Sequence, residues 1–154
     1  MQLSPNFTLT EMTKSETGLR LGIKNEPDQD QLNNLMQLAQ KVLQPVRDAF
    51  KKGVKVNSGL RVPELNKAVG GSPTSDHCRG QAADIEIPGV PNYALAKWIQ
   101  DNLEYTQLIL EFYTPGVPDS GWVHVSYDPS NLKKQSLTAV KRDGKTVYLP
   151  GLQA

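Results

Sequence analysis

Leu32, Leu35, Met36, Ala39, Val42, Leu43, Val46 and Phe50 recur at helical spacing. A helix with so long an apolar stripe must bury it against another layer, so the rest of the chain has to supply that layer. Asp28, with Gln31 three residues on, forms the capping-box signal that starts the helix. Pro45 falls inside the stripe and is expected to kink the helix or end its regular part.

Beyond residue 52 the period changes. "GVKVNSGLR" (53–61), "AADIEI" (82–87), "QLILEFY" (107–113) and "WVHVSY" (122–127) read as strands. "TAVKRDGKTVYL" (138–149) sets Asp143-Gly144 between β-rich runs, a strong hairpin signal. Shorter helices are expected near Leu9, where Thr8 and Glu11 form a capping box, over "VPELNKAVGG" up to Gly70-Gly71, and over 92–103. "TGLRLGIKNEP" (17–27) reads as a connecting loop. Helices early and antiparallel strands later make an α+β chain, one sheet with helices packed on it. No linker or repeat divides it, so residues 1–154 are expected to form a single domain.

A domain of this length buries about 70% of its unfolded surface and needs no staple to fold. The single Cys78 excludes an intrachain disulfide framework. Seventeen Lys and Arg against 16 Asp and Glu give no nucleic-acid signature. No run approaches the roughly 18 apolar residues of a membrane span. "MQLSPNFTLTEM" has neither a basic n-region nor an apolar h-region, so it is read as no signal peptide. A substrate outside the cytoplasm would then need some other means of delivery.

The chemistry concentrates in "GSPTSDHCRGQAADIEI" (71–87), which holds one of only two histidines. His77, Asp84 and His124 are candidate ligands for a borderline cation such as zinc, which takes three N or O ligands and leaves a fourth position open. Asp84 and His124 both fall in strands, where an Asp is disfavoured and a rigid backbone suits a ligand. Pairing Tyr113 with Trp122 across the loop would set Glu111 opposite His124 on one face. Trp122 is expected on the opposite face from His124. An acid in the apolar run "LILEFY" is costly to bury without a partner, and a metal-bound water would be one.

These segments carry a resemblance. "SDHCRGQAAD" resembles the S-x-H-x-x-G-x-A-x-D motif of the zinc D-Ala-D-Ala carboxypeptidase family, and "GWVHVSY" resembles its W-x-H segment. "SGLRVPELNKAVGGSPTS" is similar to its upstream S-G-x-R-x-x-x-x-N stretch. The opening "FTLTEMTKSETG…NEP" and closing "GKTVYLPGL" are similar to small phage-encoded members. The resemblance implies the fold shared with hedgehog signalling domains, an antiparallel sheet with flanking helices. It implies one Zn2+ held by His77, Asp84 and His124, with Gly80 and Ala82 at the motif's small positions. Ser75 would brace the His77 loop and meet substrate, and Arg61 would bind a substrate carboxylate or the oxyanion. Some members carry an acid three residues before the last His, where this chain has Gly121; others place a Glu in the preceding strand, which Glu111 matches. Glu111 is therefore the expected general base, with Asp119 in the loop as the alternative.

The implied activity is hydrolysis of peptide bonds in peptidoglycan stems or cross-links, by a phage lysin or a virion-associated enzyme. The implied partners are the peptidoglycan peptide and virion proteins, with no nucleic acid and no membrane. Made in the host cytoplasm, such a protein would be released to the wall or carried in the particle. Two other classes fit parts of the pattern: a non-catalytic module that kept the zinc, and an assembly component of the phage particle.

Overall fold

The structure, a computed structural model, describes residues 1–153. A small hairpin of β1 (Gln2–Ser4) and β2 (Phe7–Thr8) opens the chain and was not anticipated from the sequence. Helix α1 (Leu9–Thr13) follows with the expected Thr8/Glu11 capping box. The expected loop over 17–27 is instead helical in its first part, as α2 (Glu16–Leu21). Ser15 caps it by accepting the Gly18 N–H, and Gly22 ends it in the left-handed conformation at φ 68°. The two glycines that read as loop are thus helix parts: Gly18 is buried, and a Cβ there would stand 3.3 Å from the Ile23 carbonyl.

The apolar stripe forms one long helical rod from residue 29 to 50. It comprises α3 (Gln29–Leu38), a π-helical turn (Ala39–Leu43) and α4 (Gln44–Phe50). Pro45 neither ends nor breaks it. Proline has no N–H for the carbonyl of Lys41, and the rod widens just before it, with the Gln44 N–H reaching back to Ala39. Asp28 and Gln31 make the capping box at its start.

The remaining elements are β3 (Lys55–Ser58), α5 (Pro63–Ala68), a short 3-10 turn (Asp76–Arg79), β4 (Ala82–Glu86), α6 (Asn92–Asn102), β5 (Gln107–Glu111), β6 (Trp122–Ser126), β7 (Gln135–Arg142) and β8 (Lys145–Pro150). Asp143 and Gly144 both have positive φ and close the β7–β8 hairpin. The sheet order is β3-β4-β6-β5-β7-β8. All pairs are antiparallel except β5 with β7, which run parallel. The sheet is therefore mixed rather than purely antiparallel, within the expected α+β layout.

One face of the sheet meets the helices. Ala83, Ile85, Leu108, Leu110, Val123 and Val125 pack with Leu35, Leu38, Val42, Leu43 and Val46 of the rod and with Leu95 and Ile99 of α6 in a single core. The alternate residues of the same strands point away from the helices, and the polar chemistry of the chain collects there.

Candidate metal centre

Asp84 of β4 and His124 of β6 are direct cross-strand partners, so their side chains rise together on the open face. His77 reaches them from the 3-10 turn that precedes β4. Asp84 Oδ1 lies 3.3 Å from His77 Nε2 and 3.1 Å from His124 Nδ1. All three ligand atoms fall within 4.8 Å of one another, and among the described residues this is the group that could hold a metal ion. Cys78 is not part of it.

The turn that carries His77 is held on every side. Ser75 Oγ accepts the His77 N–H, and Gly80 ends the turn at φ 73°. A Cβ on Gly80 would come within 2.7 Å of the Gln31 carbonyl of α3, so the motif's small residue is required by close packing as well as by the turn. His77 Nδ1 lies 2.7 Å from the Gly59 carbonyl. It must donate there, which leaves the lone pair of a neutral ring on Nε2. That lone pair then faces a carboxylate oxygen at 3.3 Å. Two acceptors so placed repel unless a proton or a cation lies between them, and with His124 beside them the residues fit a metal ion. Burial alone would push the Asp84 carboxyl up, but in the absence of a metal a proton shared with the facing His124 and His77 rings outweighs it and holds it well below the usual carboxylate range.

Glu111 also stands on this face, through a register other than the expected one. It pairs with Trp122, while His124 pairs with Ile109. The expected register was off by two residues. A shift of two preserves the face, so Glu111, Trp122, Ile109 and His124 all point the same way. The expectation that Trp122 faces away from His124 is therefore corrected: residues two apart in a strand share a face, and both line the same cavity. The register moved because β5 ends at Glu111: Phe112 leaves the strand at φ 56°, and Thr114 and Val117 close a tight loop of their own.

Glu111 lines a cavity of about 690 Å³ together with Arg61, His77, Asp84 and His124. Its carboxyl is pushed up by burial first and by the Asp84 charge second, against the pull of His124, the Trp122 indole and Arg61. Asp119 is not brought to this group; it lines a separate cavity with Lys55, Glu86 and Pro118. Gly121 explains why no acid stands three residues before His124. At φ 64° it lies so close to β5 that a Cβ would sit 1.9 Å from the Glu111 carbonyl.

Arg61 follows β3 at the cavity wall, and its Nε is buried without a partner. Its backbone N–H bonds to the His77 carbonyl at 3.0 Å, tying the cation to the ligand turn. Asn25, which the sequence did not single out, staples the same segment. Its amide donates to the Leu60 carbonyl at 2.7 Å and accepts the Val62 N–H at 3.0 Å. Ser75 lines the same cavity. Glu86 shares the Asp84 face but is engaged by Asn57 and Asn92. Lys141, Thr146 and Tyr148 of the β7–β8 hairpin form the far wall. Tyr148 lies near enough to Glu111 that burial and that charge both push its phenol up.

The peptidase M15 family model matches residues 5–126, most of the chain. The chain belongs to the peptidase M15 family. No curated protein sequence matches it closely enough to count as a relative. M15 peptidases are zinc-dependent metallopeptidases, and the His77–Asp84–His124 group has the donor set that such a metal takes. The M15 match ends at the last residue of β6, so the hairpin wall of the cavity lies outside it.

Proposed function

We propose that this M15 family member is a zinc-dependent peptidase that hydrolyses peptide bonds in the stem or cross-link of bacterial peptidoglycan. The observation that carries the reading is the His77 lone pair facing Asp84 across 3.3 Å, with His124 and the half-buried Glu111 on the same sheet face. The motif resemblance to wall-cleaving carboxypeptidases supports peptidoglycan as the substrate, and the likeness to small phage-encoded members supports a lysin or a virion-borne enzyme.

His77, Asp84 and His124 would hold the ion. Zinc in such a site supplies Lewis-acid chemistry, polarising a carbonyl and lowering the pKa of water toward 7. Glu111 takes a proton from the attacking water as its oxygen bonds to the scissile carbon. The same carboxyl then gives that proton to the departing amine as the C–N bond breaks. Its raised pKa suits both halves of the transfer, because a stronger base is also a usable acid near neutral pH. Arg61 offers its guanidinium to a substrate carboxylate or to the developing oxyanion. Ser75 fixes the His77 turn at the rim where substrate enters.

Digestion of purified peptidoglycan by the zinc-loaded protein, with mass identification of the fragments, tests the reading. Peptide fragments carrying new amino termini are expected, and a chelator should stop their release. No fragments from protein shown to carry zinc would overturn it.

A further inference from the structure

The M15 match ends with β6, but the sheet does not. Strand β7 adds to β5 in parallel and β8 closes the edge, and their Lys141, Thr146 and Tyr148 line the cavity over the metal centre. Register gives these side chains a common face. Glu111 pairs with Ala139, and Ala139 pairs with Tyr148. Glu111 and Tyr148 therefore stand in one row across three strands, two strand spacings or about 10 Å apart at the backbone. Lys141 and Thr146 are partners two residues further along the hairpin, so they share that face. The small Ala139 between Glu111 and Tyr148 has no exposed surface, so the side chains around it close over it.

Two features make this wall more than a sheet edge. Tyr148 is 53% exposed beside a polar cavity. Its ring offers apolar surface that a ligand can cover, and its hydroxyl can donate to a main-chain carbonyl. Lys141, in turn, is held in place. Its Nζ donates to Thr146 Oγ1 at 3.2 Å and lies 5.5 Å from the centre of the Phe112 ring. Phe112 is fixed beneath it: its φ of 56° is costly for a bulky residue, and its N–H donates to the Ala139 carbonyl at 2.9 Å. The Phe112 ring also lies 5.5 Å from that of Trp122. Among the described residues Lys141 forms no ion pair. A hydroxyl and a ring face leave its charge unneutralised and a donor free for an anion.

We propose that the β7–β8 hairpin is a substrate subsite, in which Tyr148 lies against the bound peptide beside Glu111 and Lys141 pairs with a free carboxylate on that peptide. The proposal rests on the peptidase reading above and adds to it the charge of the preferred substrate. The ligand class is an acidic peptide, and the residues that select it lie beyond the part of the chain that matches the family.

The test uses two synthetic stem peptides, identical except that the free carboxylate of the acidic residue is amidated in one. Each is titrated calorimetrically into the zinc-loaded full chain carrying Glu111→Gln, which slows cutting enough for binding to be read. The acid peptide should bind about 3- to 10-fold more tightly, and adding Lys141→Met should abolish that preference while its unbranched stem still covers Phe112. Equal binding by the parent, no binding of either peptide, or a preference that survives Lys141→Met would overturn the carboxylate contact. Tyr148→Ala should weaken both peptides alike, by about 3- to 10-fold, and unchanged affinity would remove Tyr148 from the subsite. Both side chains are exposed, so zinc content and the circular dichroism spectrum should match the parent. The two readings fail separately. A preference for the acid peptide, with no cleavage of either peptide or of peptidoglycan when Glu111 is intact, would sink the peptidase reading and leave the subsite. Digestion of peptidoglycan with no such preference would sink the subsite alone.

Discussion

Val123 and His124 are neighbours in β6, yet they belong to two different chemical environments. Val123, with Ala83, Ile85, Leu108 and Leu110, lies on the helix-covered face, each with no exposed surface. His124, with Asp84 and Glu111, lies on the other face, where polar groups are buried against one another and around a cavity. The apolar face gains stability from every methylene removed from water. The polar face spends part of that stability on a carboxylate that burial disfavours and on two acceptors set against each other. The difference teaches that the helices and core are the support for a face that would not hold its shape alone.

The comparison breaks most completely at the ligands. Asp84→Ala should lose most of the bound zinc and all measurable hydrolysis, while the circular dichroism spectrum stays native because the core is untouched. Elemental analysis of the variant checks this. Retained stoichiometric zinc would show that Asp84 is not a ligand.

Glu111→Gln keeps shape but loses the base, and turnover should fall by about 10²–10⁴-fold with zinc retained. Asp119→Asn should leave turnover unchanged, since Asp119 lines another cavity. The opposite pattern would assign the base to the loop. The acid limb of the wild-type kcat/KM profile should lie above the ordinary carboxylate range, following the raised Glu111 pKa, and should vanish in Glu111→Gln.

Leu110→Ala probes the other face one residue away. It should cost about 2–5 kcal/mol in urea unfolding, as buried leucines do, with kcat per folded molecule unchanged. A fall in kcat as large as that of Glu111→Gln would mean that the two faces are not separable.

Arg61→Lys keeps the charge but loses the planar fork, and kcat/KM should fall by about 10- to 100-fold without loss of zinc. The smallest effect is on stability. A carboxyl whose folded pKa is raised favours folding only at low pH, and that contribution is lost as pH rises through the folded value. At neutral pH the ionised Glu111 is thus a cost, and metal-free Glu111→Gln should melt slightly above the metal-free wild type. A lower melting temperature would show that Glu111 is held by favourable partners instead.

Much of the site could be read in advance because strand period 2 and residue type are local properties. Asp84 and His124 each sit in an alternating run, so spacing places each on one face of its own strand; that β4 pairs with β6 and sets them opposite each other was decided by the tertiary structure. The capping boxes at Thr8 and Asp28 and the Asp143-Gly144 turn depend on a few adjacent residues, and they formed as expected. The helix α2 was hidden because its glycines read as breakers, and only the packed structure shows Gly18 buried with the Ile23 carbonyl close by.

What the sequence determined by itself was the α+β class, the elements with strong local signals and the residue types of the metal centre. The tertiary structure decided the pairing of β5 with β6, because register depends on where Phe112 leaves the strand and on how Ser120 and Asn92 tie the loop. It decided the parallel placement of β7 beside β5, which brings Lys141 and Tyr148 to the cavity from beyond residue 126. It also decided that Arg61 stands at the cavity wall, its backbone N–H bonded to the His77 carbonyl. These are contacts between residues distant along the chain, and their energies depend on geometry that no local pattern contains.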